Sequence, residues 1–289
     1  MKKIILAFLF KFCILNAEDL SIDSQFADSK QLELSVGFDY VNSYSNGLYY
    51  NTTVIETLNG DYILVPTNNY YTTSSDYIGL NISTNYGFNE QFSIYSYLSY
   101  YYIFSRDIDL PQNKTKKYKQ FDSFNVGISY LIKEETKTPS LYIKLSTSLI
   151  DKIDINKTKV NKNFTSANIT IGTYFSTDPI TFMFQSTYIY NKVLEHENYK
   201  LKHGDIFIFS PTMYFSINPY VTINFDLEYQ YINKSKENNK YITHERSKLT
   251  KGFGVIYEIS QYTSFSLDYS YNNNGSSSDS VSMYLTYKL

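Results

Sequence analysis

The side chains best suited to chemistry in this sequence are three histidines, two of which have acidic neighbours. His196 lies between two glutamates, and His244 precedes Glu245. Imidazole beside a carboxylate can bind Zn²⁺ or transfer protons. All three, including His203, fall in polar segments between the apolar ones, whereas a serine–histidine hydrolase needs both side chains held together on a rigid element. We interpret the histidines as solvated loop residues and expect no enzyme activity, metal site or cofactor.

Apolar residues alternate with polar ones in segments of about ten residues, separated by polar breaks. A tilted β-strand crosses a membrane in about 9 to 11 residues. Period-two alternation gives such a strand one apolar face toward lipid and one polar face toward the interior. The alternation predicts twelve strands with apolar faces in residues 32–40, 78–88, 92–104, 124–132, 141–149, 167–175, 180–190, 207–215, 221–231, 249–259, 265–271 and 281–289.

The connections between these segments alternate in length. Short links fall near residues 89–90, 134–139, 176–179, 217–219 and 260–262, and longer ones near 45–76, 105–120, 151–163, 191–203, 233–246 and 273–279. Short periplasmic turns, long extracellular loops and an even strand number are typical of outer-membrane barrels. A soluble β-sandwich would not sort its loops in this way. The chain is therefore predicted to be all-β, a transmembrane antiparallel up-and-down β-barrel in the bacterial outer membrane.

The first long link leaves the strand count open. Within it, Asn59-Gly60 is a strong hairpin turn signal between two β-prone segments. This hairpin could extend outside the membrane, fold into the lumen, or add two membrane strands to make fourteen. Pro66 in its second arm disfavours a central ladder position, so we predict twelve strands, with fourteen as the alternative.

The amino terminus has the features of a secretory signal peptide. Lys2 and Lys3 precede an apolar run, and Ala17 is suited to cleavage. We predict a signal peptide over residues 1–17, a periplasmic segment or lumen plug over 18–30, and the barrel over 31–289. The mature chain would contain no cysteine, because Cys13 is the only one.

Composition agrees with a barrel. The chain has 32 Tyr and 20 Phe, and tyrosines concentrate at membrane interfaces. The net charge of -2 argues against a nucleic-acid partner.

The last segment, residues 281–289, resembles the closing strand of an outer-membrane barrel. It ends on an apolar residue at the carboxyl terminus. The resemblance implies that Tyr287 and Leu289 form the insertion signal for the barrel-assembly machinery, although phenylalanine is usual at the last position.

The same alternation assigns residues to the lumen. Six acidic and three basic side chains are predicted to face inward, and unpaired acids would give the lumen a weak preference for cations. The alternative is that they pair across strands and stiffen a narrow barrel. The candidate lumen-lining residues are Glu33, Asp39, Tyr95, Tyr97, Lys144, Asp226, Glu228, Lys248, Glu258, Asp268 and Lys288, with Tyr101, Tyr142, Tyr174, Tyr214 and Tyr284 also inward.

The predicted extracellular loops carry a basic excess. The four loops 105–120, 151–163, 191–203 and 233–246 contain sixteen Lys or Arg against eight Asp or Glu. Lysines at this level would meet the phosphates of lipopolysaccharide in the outer leaflet. We therefore expect outer-membrane lipid and lipopolysaccharide as partners.

Several hairpins suggest a family. Residues 86–102, YGFNEQFSIYSYLSYYY, together with Thr177-Asp178-Pro179-Ile180, Ser210-Pro211-Thr212 and Asn218-Pro219, resemble hairpins of the outer-membrane transporters assigned to the MetA pathway of phenol degradation. This resemblance implies passage of small solutes, including aromatic or apolar ones, and no catalytic residue. We therefore expect an outer-membrane channel or facilitator; the alternative is a closed barrel that acts as an adhesin or structural protein.

Overall fold

The computed structural model describes residues 29–56, 62–108, 114–155, 158–197, 199–274 and 276–289. The predicted signal peptide, most of the predicted plug and the Asn59-Gly60 turn lie outside these residues. The described part contains no helix long and apolar enough to cross a membrane.

The described chain folds into β-strands joined by turns and short links. In chain order they are β1 Leu32–Glu56, β2 Tyr62–Gly87, β3 Phe92–Ile108, β4 Lys114–Lys133, β5 Leu141–Ile155, β6 Thr158–Lys162, β7 Ser166–Thr177, β8 Ile180–Asn191, β9 Leu194–His196, β10 Tyr199–Lys202, β11 Ile206–Asn218, β12 Val221–Ile232, β13 Lys236–Glu237, β14 Lys240–Tyr241, β15 Arg246–Ser260, β16 Thr263–Asn274 and β17 Ser276–Lys288.

Twelve of these strands form one closed antiparallel barrel. Around the wall the order is β1-β2-β3-β4-β5-β7-β8-β11-β12-β15-β16-β17, and β17 pairs with β1 to close the ring. Strand β6 pairs with β5 beyond the barrel. Each barrel strand pairs with the next barrel strand along the chain, as period-two segments joined by hairpins require, and the closing pair joins the two ends of the chain. The predicted fold class and the count of twelve strands are confirmed.

The outer face of the barrel is apolar and exposed. Phe38, Phe225 and Leu285 are 52%, 46% and 49% exposed, and similar residues recur on every barrel strand. Few hydrophobic side chains in the described part are buried. An apolar band this extensive is stable only in contact with lipid.

The first two strands continue far beyond the band. Their register is unbroken from Leu32↔Tyr86 to Glu56↔Tyr62. At about 3.3 Å per residue, residues 45–56 extend the hairpin by roughly 40 Å. The segment 45–76, predicted to be a long link with a hairpin in it, is therefore mostly strand. Of the three predicted forms of that hairpin, the pairing agrees with an extension beyond the membrane, and the fourteen-strand alternative is wrong. Main-chain pairing holds this hairpin, and its apolar residues occur in short clusters without the strict alternation by which membrane strands are recognised.

Shortening this hairpin should leave the barrel intact. Asn46 and Thr72 are register partners, and an Asn-Gly turn can join them in place of residues 47–71. All pairs from Leu32 to Ser45 would remain. We expect the variant to keep the heat-dependent gel mobility of a folded barrel. Loss of the folded band would show that the extension is part of the barrel's stable core.

A β-bulge shifts one predicted outward face. Phe124 pairs with Ile150, but Asn125 pairs with Ser148, so Leu149 is the extra residue on β5. Ile150 is 41% exposed and faces lipid in place of Leu149, which was predicted to do so. A bulge reverses the parity of the residues beyond it, and the apolar pattern by itself did not show which residue was unpaired.

Two predicted extracellular loops pair with each other. Strands β9, β10, β13 and β14 form a four-stranded sheet outside the barrel, in the order β14-β13-β10-β9. Lys200 Nζ lies 2.7 Å from Glu195 Oε1, and Lys234 Nζ lies 3.2 Å from Glu245 Oε2. The segments 191–203 and 233–246, predicted to be loops, are therefore partly strand.

Candidate functional site in the barrel lumen

Small polar side chains cover much of the inner wall. Asn81, Ser99, Ser129 and Ser148 are almost fully buried, although their strand neighbours face lipid. The Oγ atoms of Ser93 and Ser129 lie 2.5 Å apart across β3 and β4. Hydroxyls and amides bonded across strands satisfy one another on the inner face, as the polar interior of an outer-membrane barrel requires.

The predicted charged residues of the periplasmic end lie together. Lys288 Nζ is 3.8 Å from Glu33 Oε1, and Asn85 Nδ2 donates to Glu33 Oε2 at 3.3 Å. Glu258, on β15, lies near Lys288. Glu33 is therefore paired with side chains of two neighbouring strands, which agrees with the alternative that lumen charges pair across strands.

A second set surrounds Asp39 at mid-barrel. Asn81 and Tyr284 both donate to its carboxylate, Tyr284 Oη from 3.2 Å. Tyr97 Oη donates to Asn81 Oδ1 at 2.7 Å. Four strands, β17, β1, β2 and β3, are thereby linked on the lumen side.

Four inward tyrosines lie flat over glycines of the neighbouring strand. Each pair consists of direct register partners, and a Cβ on any of these glycines would press against the ring. Because glycine has no side chain, the ring can lie along the wall instead of pointing across the lumen. The pairs are Tyr284 over Gly37, Tyr101 over Gly79, Tyr95 over Gly127 and Tyr142 over Gly172.

Tyr142 is the most enclosed of these tyrosines, with no exposed surface. Gln185 Nε2 donates to its hydroxyl at 2.6 Å. Lys144 Nζ lies 5.6 Å from the centre of its ring, within cation–π range. The ring centre of Tyr174 is 6.4 Å away.

A cavity of about 340 Å³ lies against this wall. Tyr95, Tyr97 and Lys144 line it together with Asn85 and Ser83. The cavity offers aromatic edges, amide and hydroxyl groups and one ammonium to a small molecule. Three candidate residues from the sequence therefore meet at one open volume.

The opposite wall is acidic. It carries Asp226 and Glu228 on β12 and Asp268 on β16. The carboxylate of Asp226 is close enough to be repelled by the carboxylates of both Asp268 and Glu228. Among the described residues, no Lys or Arg is within salt-bridge distance of these three carboxylates. Lys248 lies farther toward the extracellular end, in register with Gln230.

The chain terminus closes the ring. Leu289 N donates to Leu32 O at 2.8 Å, and Leu32 N donates to Leu289 O at 3.2 Å. The side chains of Tyr287 and Leu289 are 46% and 64% exposed on the outer face. Both are accessible on the outside of the barrel, and their role as an insertion signal stays a prediction.

The histidines lie at the extracellular end of the barrel. His196 ends β9, His244 lies in a link, and His203 lines a polar cavity of about 290 Å³ at the mouth. Burial lowers the pKa of His203 below its ordinary value. Within the described ranges, no three His, Cys, Asp or Glu side chains are grouped to hold a metal ion.

The tyrosine–glycine pairs were not predicted from the sequence. Inward glycines and inward tyrosines are both visible in the alternation, but their pairing depends on register between strands. Hairpin partners such as Gly79 and Tyr101 could have been aligned by counting from the short turn between β2 and β3. Gly37 and Tyr284 come from the two ends of the chain and meet only on closure.

No protein-family model matches the chain, and no curated protein matches it. Its fold is similar to those of solved structures. An outer membrane channel from Pseudomonas putida F1 is 6% identical, with 89% of this chain and 95% of that chain covered and a TM-score of 0.59. The chain has the fold of a bacterial outer-membrane β-barrel. With the exposed apolar band, this fold confirms the predicted outer-membrane location.

Barrels of different function share this architecture. The NanC porin is 9% identical, with 87% of this chain and 100% of that chain covered and a TM-score of 0.50. The transport unit of the autotransporter AIDA-I from Escherichia coli is 11% identical, with 97% and 95% covered and a TM-score of 0.51. The likeness establishes the barrel fold alone, because one fold supports many functions.

Proposed function

We propose that this barrel is a passive channel for small solutes in the outer membrane, with a weak preference for cations over anions. The observation that carries the proposal is the inner wall, which is polar and acidic while the outer face is apolar. Asp226, Glu228 and Asp268 face the lumen without a cationic partner among the described residues. Their field would concentrate cations in the lumen and repel anions.

The tyrosine–glycine pairs support an open path. A tyrosine that lies along the wall occupies less of the cross-section than one that points across it. Two such rings, Tyr95 and Tyr142, flank Lys144 near the cavity of about 340 Å³. The resemblance to phenol-pathway transporters implies aromatic or apolar solutes, and the cavity's tyrosines would offer ring contacts to them. Its polar lining favours a ring that also carries a hydroxyl group.

The outer surface supports a partnership with lipid phosphates. Arg106 Cζ and Lys117 Nζ lie 4.4 Å and 5.3 Å from the ring centre of Phe104, above the apolar band on β3 and β4. Cations held at an aromatic interface are well placed for lipopolysaccharide phosphates. We include lipopolysaccharide as a partner on this basis. The barrel-assembly machinery as a partner of Tyr287 and Leu289, and residues 18–30 as a plug, stay predictions from the sequence.

Purified protein in planar bilayers should give discrete conductance steps. In a KCl gradient, the reversal potential should indicate a permeability to K⁺ roughly two- to tenfold that to Cl⁻. The double variant Asp226→Lys and Asp268→Lys should shift the preference toward Cl⁻. Glu134→Lys is the matched control, because Glu134 is exposed in the link between β4 and β5 and should leave selectivity unchanged. A folded barrel without conductance would contradict the channel and favour the closed barrel with an adhesive or structural role.

A further inference from the structure

The acidic side of the lumen has features beyond its charge. We define the inner-wall patch as six inward side chains on β12, β15 and β16: Asn224, Asp226, Glu228, Thr250, Asp268 and Asn272. Strand register places them in adjacent rows. Asn224 and Asp268 flank Gly254, and Thr250 lies between Glu228 and Asn272.

Two glycines on β15 leave room for side chains of the patch to lie against the backbone of that strand. A Cβ at Gly252 would collide with the carboxylate of Asp226, and one at Gly254 would collide with Asp268 and Asn224. The polar side chains therefore lie over β15 instead of projecting separately into the lumen. Asn224 Nδ2 donates to Asp268 Oδ1 at 3.1 Å. The side-chain carbonyl oxygen of Asn224 is not used in this hydrogen bond and can accept one from another partner.

Three acceptor oxygens of the patch receive no hydrogen bond from any residue that the structure describes. They are Asn224 Oδ1, Thr250 Oγ1 and Asn272 Oδ1, all buried. Asn224 and Asn272 are only 8% and 6% exposed. Buried acceptors are nearly always satisfied in proteins, and leaving one unmet is costly. Their presence in one patch indicates a place where a donor binds.

The carboxylates specify the charge of that donor. Asp226 experiences like-charge repulsion from both Asp268 and Glu228. No Lys or Arg in the described ranges is within salt-bridge distance of any of the three. A cation with several N–H groups would relieve the repulsion and satisfy the free acceptors together.

We propose that the inner-wall patch is a binding site for small solutes that carry a primary ammonium group. An ammonium has one positive charge and three N–H donors, which suits carboxylates mixed with amide and hydroxyl acceptors. A bare metal ion is less suited, since no three acidic or histidine side chains of the described residues are grouped to coordinate one. The inference rests on the proposed channel and names the class of cation that it would favour.

Two cations of equal charge test the proposal. In planar bilayers with KCl, n-butylammonium should reduce the current through the wild-type barrel in a saturable manner, because its N–H groups reach the free acceptors. Tetramethylammonium has the same charge but no N–H donor and should reduce it about tenfold less effectively. Equal block by the two cations would overturn the proposal, because charge alone would then explain it.

Variants locate the site. Asp226→Asn and Asp268→Asn should each weaken the n-butylammonium block about tenfold, and Thr250→Val should weaken it by a smaller factor. Glu258→Gln is the matched control: Glu258 is another inward acid on β15, at the periplasmic end and outside the patch. It should leave the block unchanged. Block that is lost equally in Glu258→Gln would overturn the assignment to the patch.

Calorimetry in lipid nanodiscs separates this proposal from the channel itself. Saturable heat from n-butylammonium, absent in Asp226→Asn and present in Glu258→Gln, would support the site even if the barrel did not conduct. Conductance without such binding would overturn the site and leave the channel standing. Heat-dependent gel mobility of each variant shows that it is folded.

Discussion

Leu285→Arg is expected to lower the free energy of unfolding in a bilayer by about 2–4 kcal/mol. Leu285 is 49% exposed on the lipid side of the closing strand, where it pairs with Val36 and Phe265. An arginine within the apolar band loses its hydration and has no lipid group to bind. Urea titration of folding into vesicles, followed by gel mobility, measures the change.

Ser282→Arg is the control for this prediction. Ser282 lies on the same strand but faces the lumen, between its register partners Asp39 and Asp268. An arginine there meets carboxylates and water, so the free energy of unfolding should change far less. Equal destabilisation by the two substitutions would contradict the assignment of the two faces of β17.

Gly172→Ala is expected to destabilise the barrel by about 1–3 kcal/mol. The added Cβ would overlap the ring of Tyr142, which has no exposed surface and bonds Gln185. The ring must either strain the wall or turn into the lumen. Folding titrations in vesicles measure the stability, and single-channel recordings would detect a smaller conductance if the ring turns.

Two comparisons test the cause of this effect. Gly79→Ala is the milder case, because the nearest ring atom of Tyr101 is 3.0 Å from the Cβ position and can shift. In the double variant Gly172→Ala and Tyr142→Ala, the cost of the alanine should largely disappear because the collision is gone. An undiminished cost in that background would show that glycine is needed for the backbone of β7 instead.

Most of the barrel could be predicted because lipid imposes a simple rule on strands. Each membrane strand must show an apolar residue at every second position, so Phe225, Leu227 and Leu285 mark their faces directly. The exceptions have physical causes. The prediction for Leu149 is wrong because a bulge changes parity without changing composition. The form of the β1–β2 hairpin stayed open in the sequence because main-chain pairing in water requires no apolar alternation.

The candidate site was only partly predictable. Alternation alone placed Asp226 and Asp268 on the inward side, but it could not show that they flank the same glycine-bearing strand without a cationic partner. Nor could it distinguish them from Glu33, which lies near Lys288. Whether a lumen charge is paired depends on which strands are neighbours and in what register.

The sequence by itself thus determined the barrel class, the strand count and the side of the wall on which most side chains lie, because these follow from local alternation against lipid. Only the tertiary structure decided which inward residues meet. Tyr284 and Gly37 are far apart in the chain and become partners when β17 pairs with β1. The acceptors of the inner-wall patch likewise come together through β12, β15 and β16. Such contacts depend on the register and closure of the whole sheet, which no single segment encodes.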